Sequence, residues 1–192
     1  AGFKTTHYII IDRIGEPTYM SLAKVLELQS QGHEIGAHTR THAKLSELPL
    51  EVIREEIFGS KQDLYDMGIA RITTFVYPNG AFNEDVIALV KEASFSGARI
   101  TNPGLNDQMT DPYQLLYLGI NSEVTFETVT QKIDEAVLEK KWLIMVFHKI
   151  DESGFENVTT DLLQKTVNYV KEKQIPVVTT AQGLFIMKNI PN

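Results

Sequence analysis

Gly32-His33-Glu34-Ile35-Gly36-Ala37-His38-Thr39-Arg40-Thr41-His42 decides how this chain is read. Glu34 to Ala37 is a short apolar run ending in small residues, and it reads as a strand. His38 and His42 follow it, four residues apart. Imidazole is the commonest protein ligand for zinc and related metals. Two rings at this spacing can reach one ion from a helical turn or a tight loop. The chain has 5 His in 192 residues, and three of them fall in this stretch. Such concentration points to a site rather than to packing. The zinc-protease helix motif has Glu after its first His, and Thr39 stands there, so that reading fails. The third ligand a metal site needs is not evident in the sequence.

Working outward, strands alternate with helices. Tyr8–Ile11 reads as a buried strand and Tyr19–Gln31 as a helix whose apolar face is mostly Leu22, Val25, Leu26 and Leu28. Leu50–Met67 reads as a helix stopped by Gly68, Ile72–Val76 as a strand and Asn83–Ala93 as a helix. Ser96–Ile100 is a strand, Thr101–Pro112 a long loop, and Leu115–Leu118 a short strand. Val124–Lys140 is a helix, Trp142–Phe147 the strongest strand, Thr160–Lys173 a helix, Val177–Thr179 a strand and Ala181–Met187 a closing helix. This order predicts an α/β fold, a single domain over residues 1–192, with a parallel sheet of about seven strands in an incomplete, distorted (β/α) barrel. In such barrels the site lies at the C-terminal strand ends. Three clusters follow directly after predicted strands and should converge there: His38–His42, Pro78-Asn79-Gly80, and His148.

Composition excludes several classes. A net charge of -7 argues against nucleic acid as the main partner. No apolar run is long enough to span a membrane. With 0 Cys, thiolate ligands and disulfides are excluded, so a metal would be held by His, Asp or Glu. The N-terminus passes almost directly into a strand, with no signal peptide.

Phe75-Val76-Tyr77-Pro78-Asn79-Gly80 ends a strand in a rigid turn whose backbone N–H groups could hold an oxyanion. Leu143 to Phe147 leads into His148, a strand-end imidazole expected to be partly desolvated and suited to acid/base work. Each has a plainer reading. His38 and His42 could be exposed loop residues, and His148 a satisfied cap on a core strand. Pro78 and Gly80 could be only a turn, Tyr77 a core residue rather than a platform for a sugar ring, and Glu34 a buried structural carboxylate.

Together the Gly-His-Glu-Ile-Gly-Ala-His segment with its His-x-x-x-His, the Tyr-Pro-x-Gly turn and the strand-His resemble the polysaccharide deacetylases of the NodB-homology type, carbohydrate esterase family 4. Thr5-Thr6-His7-Tyr8-Ile9 resembles that family's early strand. The resemblance implies a divalent metal, usually zinc, held by His38 and His42 with an aspartate. It implies a second aspartate as base, the backbone N–H of Asn79 at the oxyanion, and His148 as proton donor to the leaving group. Tyr77, Pro78 and Gly80 would line the substrate. The substrate would be an acetylated polysaccharide, and the place of action the bacterial envelope or exterior.

The sequence also departs from that family. The strand carrying the paired aspartates should precede Tyr8, and it and its helix are absent here. Weak or no catalysis is therefore expected from these residues alone, and the open edge favours pairing with a missing N-terminal segment or a second chain. Val76 stands where the family often has an Arg that orients the base. The family's Asp and Trp motif is not recognisable between Asn102 and Glu123, with Asp107, Asp111 and Asp151 as candidate stand-ins. The alternatives are a catalytically silent module that binds glycan or a partner, or an unrelated barrel hydrolase with another internal carboxylate ligand.

Overall fold

The computed structural model describes residues 2–151 and 154–189. In chain order the elements are β1 (Thr6–Ile9), α1 (Leu22–Ser30), β2 (Glu34–Ala37), α2 (Leu50–Arg54), a π-turn (Glu55–Gly59), α3 (Ser60–Asp66), β3 (Thr74–Val76), α4 (Glu84–Glu92) and β4 (Gly97–Pro103). Then follow β5 (Leu115–Gly119), α5 (Phe126–Glu139), β6 (Met145–Val146), β7 (Lys149–Ile150), β8 (Asn157–Val158), α6 (Thr160–Glu172) and α7 (Thr180–Asn189). They form two compact units. The larger holds Lys4–Thr101, Thr110–Leu115 and the segment from Val178; the smaller holds Asn102–Met109 and Leu116–Val177, with Gly2 and Phe3.

In the larger unit β1, β2, β3 and β4 pair in that order, every pairing parallel. The strand period of two sorts their side chains. Ile35, Ala37, Phe75, Ala98 and Ile100 share one face and are buried. Tyr8, Glu34, Gly36, Thr74, Val76 and Arg99 share the other. Ala37 is in register with Phe75, and Phe75 with Ala98. His38, Val76 and Arg99 therefore form the next row, on the second face. Ser21 and Asn83 cap α1 and α4, accepting from the N–H of Lys24 and Val86.

Glu34 ties this unit together. Its carboxylate accepts from Thr6 Oγ1 at 2.9 Å, Thr74 Oγ1 at 2.5 Å and the Ala181 N–H at 2.8 Å. Thr180 N–H in turn donates to Thr6 Oγ1 at 2.8 Å, so α7 starts against β1 and β2. Glu34 is thus the structural carboxylate, not a base.

In the smaller unit β5 and β6 pair in parallel, with Leu118 opposite Met145. Ile120, Val129, Ile133, Val158 and Val170 form its core under α5 and α6. Among the described residues no helix is long and apolar enough to cross a membrane.

Several expected elements differ. Val177–Thr179 is not a strand. Thr179 N–H donates to Gln182 Oε1 and Thr179 Oγ1 accepts from Gln182 N–H, a reciprocal capping box that starts α7. Trp142–Phe147 contracts to Met145–Val146 because Trp142 exchanges two backbone bonds of 2.8 Å with Asn106 instead. The expected loop from Thr101 begins later, since β4 continues to Pro103. The helix over 50–67 contains the π-turn. Among the described residues six strands, β1 to β6, follow one another in the main sheet, fewer than expected, and β7 and β8 form a separate parallel pair.

Candidate functional site

His38 leaves the end of β2 half-buried. Its Nδ1 lies 2.9 Å from Val76 O. A carbonyl can only accept, so Nδ1 carries the proton and Nε2 is the lone-pair nitrogen. This is how a metal-ligating imidazole is oriented by a neighbour. The His42 ring packs edge-on against it, centroids 4.6 Å apart at 84°. The sequence placed both residues in one site, and the structure brings the two rings together.

The loop between them is held in an unfavourable conformation. Thr39 and His42 have φ of 64° and 66°, the left-handed region that side-chain-bearing residues avoid. Thr39 is β-branched and fully buried. Its hydroxyl accepts the His42 N–H at 3.0 Å. Backbone outliers of this kind persist only where the surroundings over-determine them, and they cluster at functional sites.

Those surroundings come from the π-turn, which the sequence pattern did not show. Glu56, 6% exposed, accepts the N–H of Arg40 at 2.9 Å, the N–H of Thr41 at 3.0 Å and the hydroxyl of Thr41 at 2.8 Å. Arg40 forms a two-point ion pair with Asp63, at 2.6 and 2.9 Å, and a third bond to Glu55 at 3.0 Å. The bonds to Asp63 raise the guanidinium pKa above its ordinary value. Gly59 makes room: a Cβ there would sit 2.2 Å from the Arg40 guanidinium carbon. On the far side, Ile11 and Asp12 donate their N–H groups to Thr39 O and Arg40 O. Single π-turns inside helices recur at functional positions. This one aims Glu56 and clears Gly59.

Two imidazoles fit a divalent ion. Among the described residues, no group of three or more His, Asp or Glu is placed to hold one. The third ligand expected from the resemblance is thus not among them.

The Pro78-Asn79-Gly80 turn follows β3. Asn79 and Gly80 have φ of 55° and 66°. Gly80 is required twice, since an added Cβ would also lie 2.0 Å from Thr101 Oγ1. The turn engages the N–H of Gly80 with Tyr77 O and that of Ala81 with Pro78 O. That leaves the N–H of exposed Asn79 as its candidate oxyanion donor. Tyr77 does not fit a sugar-stacking role. It is 1% exposed, stacks on Phe82, and its hydroxyl donates to Tyr113 O at 3.1 Å. Burial pushes its phenol pKa far up. Pro78 is buried as well, so both residues shape the turn rather than line a substrate.

His148 belongs to the smaller unit, between β6 and β7, and it is exposed rather than partly desolvated. The strand before it is shorter than expected and does not cover it. The three candidate aspartates are engaged in local loop bonds. Asp107 accepts from Met109 N–H, Asp111 from Tyr113 N–H and Gln114, and Asp151 from the N–H and hydroxyl of Thr160.

Residues 1–98 match the family model for polysaccharide deacetylases. The chain belongs to the polysaccharide deacetylase family. Among curated proteins it is similar to a gellan lyase of a Bacillus species, 27% identical over 169 residues that make up 80% of this chain and 7% of that protein. It is also similar to the Bacillus subtilis protein named "Putative polysaccharide deacetylase YxkH", 25% identical over 59% of this chain and 41% of that protein. The chain thus spans less than half the length of either relative. Among solved structures, the family 4 acetyl xylan esterase of Clostridium thermocellum, determined with a cobalt ion, superposes with a TM-score of 0.62. That match is 17% identical and covers 99% of this chain and 80% of the esterase, which shows a shared α/β fold.

Proposed function

We propose that this deacetylase-family chain serves in metal-dependent removal of acetyl groups from a polysaccharide at the bacterial envelope or exterior. The observation that carries the reading is the paired imidazoles, with His38 Nδ1 on Val76 O so that Nε2 carries the lone pair a metal ion would use. His38 and His42 would hold a divalent ion, zinc first, together with one carboxylate from outside the described residues. The chemistry such an ion supplies when bound is polarisation of the acetyl carbonyl and a lower pKa for water.

The chain's own groups do the rest. The N–H of Asn79 donates to the oxygen that becomes negative as the acetyl carbon turns tetrahedral. The exception is the base, a carboxylate from outside the described residues, which would take the proton of the attacking water. His148, an exposed imidazole, gives a proton to the departing amine or alcohol. Its assignment rests on motif order.

The test is acetate release from acetylated chitin oligomers, peptidoglycan and acetyl xylan. It is run on these 192 residues and on the chain extended by an upstream strand carrying the paired aspartates. Zinc-dependent release by the extended chain, lost in His38→Ala and reduced in His148→Ala, supports the proposal. A second reading, a silent glycan-binding module, is favoured by the lack of a third ligand among the described residues. It predicts polysaccharide binding without acetate release, unaltered by His38→Ala.

A further inference from the structure

Tyr77 is buried and offers no ring to a sugar. Among the described residues of the larger unit, the exposed aromatics are Tyr19, Tyr65 and Phe185. Tyr65 lies on α3. Phe185 lies on α7, which starts against the first residues of β1 and β2, at the opposite end of the strands from His38. Tyr19 lies in the loop from β1 to α1, at the same strand ends as His38.

That loop is built onto the His38–His42 loop. Ile9 is in register with Ala37, so the residues after β1 run beside those after β2. The N–H of Ile11 donates to Thr39 O at 3.3 Å, and that of Asp12 to Arg40 O at 3.0 Å. The chain then folds back on itself. Glu16 N–H donates to Arg13 O at 3.2 Å, Tyr19 N–H to Glu16 O at 2.9 Å and Gly15 N–H to Met20 O at 2.9 Å. Thr18, between Pro17 and Tyr19, has a φ of 70°, which a β-branched residue avoids. Such strain is retained where the surrounding structure imposes it. Tyr19 is thus held in a fixed place with 50% of its surface open to solvent. The Arg13 guanidinium carbon lies over its ring, 5.8 Å from the centroid. A cation over an exposed ring adds little stability, but it restricts how the ring turns.

Binding residues concentrate on loops that a rigid scaffold positions. A tyrosine has an apolar face and a polar tip. That suits a pyranose, which is apolar across its C–H face and polar around its edge. A polymer lying across His38 and His42 carries sugars on either side of the one that reacts. We propose that Tyr19, braced by Arg13, is a sugar-stacking subsite that engages a residue of the polysaccharide flanking the one that loses its acetyl group. The subsite reads chain length. A long oligosaccharide reaches both the imidazoles and the ring, and a monosaccharide does not.

The inference deepens the proposed function, rests on it, and is tested on the extended chain. The substrates are acetylated chitin and acetyl xylan oligomers of one to six sugars. Tyr19→Ala should raise KM for the longest oligomers roughly 3- to 10-fold with kcat retained, the size of one lost stacking contact. The ratio to wild type should fall toward one at the monosaccharide. Tyr19→Phe keeps the ring and should follow the wild type. Arg13→Gln should show the same length dependence at smaller amplitude. Calorimetric titration with the two hexamers, without added metal, reads binding apart from turnover, and Tyr19→Ala should weaken it by the same factor. A loss equal at all lengths, or no loss with either hexamer, overturns the subsite and leaves the proposed function standing. An extended wild type that releases no acetate overturns the proposed function, and a hexamer affinity unchanged in Tyr19→Ala then overturns the subsite as well.

Discussion

Replacing Glu56 by alanine should loosen the His38–His42 loop more than any other change outside the imidazoles. Its carboxylate accepts three bonds of 2.8 to 3.0 Å, two from backbone N–H groups and one from a hydroxyl. A buried donor left without its acceptor costs about 1–3 kcal/mol. Thr41 is exposed and its N–H and hydroxyl can turn to water, whereas Arg40 is half-buried. The lower half of that range then applies, about 2–4 kcal/mol for the pair of backbone donors. For a chain of this length that is a fall in Tm on the order of 10 °C. Urea unfolding followed by circular dichroism measures the loss. Zinc titration should show affinity weakened roughly 10- to 100-fold, because the residues that set the ligand loop have moved. Glu56→Gln keeps an oxygen for the two N–H groups and should cost about 1 kcal/mol. An alanine variant within about 0.5 kcal/mol of wild type, with zinc affinity intact, would refute the argument that Glu56 holds the loop.

Other changes have defined outcomes. Gly80→Ala meets both a positive φ and the Thr101 hydroxyl, and should cost about 1–3 kcal/mol in urea unfolding; no loss would show that the turn has another conformation. Tyr77→Phe removes the bond to Tyr113 O and should cost about 1 kcal/mol while leaving KM for any acetylated oligosaccharide unchanged. A raised KM would restore Tyr77 to the substrate surface. Burial, and then His33, lower the pKa of His7 from 6.5, so the folded state favours the neutral ring. Its contribution is complete above pH 6.5 and is lost as pH falls from there through the lower folded value. His7→Gln should therefore flatten the decline in urea midpoint below pH 6.5, and an unchanged slope would count against this assignment.

Much of this was legible in the sequence. Glu34–Ala37 is the strand that was read, and the helix read over 83–93 is α4 with one residue trimmed at each end. The period of two says more than the strand positions. Tyr77 is two residues after Phe75 and falls on the same buried face, which places it in the core. Thr179 and Gln182 spell a capping box that predicts a helix start where a strand was read. The π-turn was hidden because the apolar positions of 50–67 satisfy an ordinary helical period whether or not one turn is widened. β6 is shorter than the apolar run of 142–147 implies, and Trp142 bridges to Asn106, far along the chain.

Zinc titration of the chain extended by the upstream strand with the paired aspartates, with His38→Ala and His42→Ala as controls, tests the central claim most directly. The account predicts uptake of about one ion per chain, abolished by either substitution. No uptake by the wild type, or uptake that both variants retain, would contradict the reading of His38 and His42 as a metal centre.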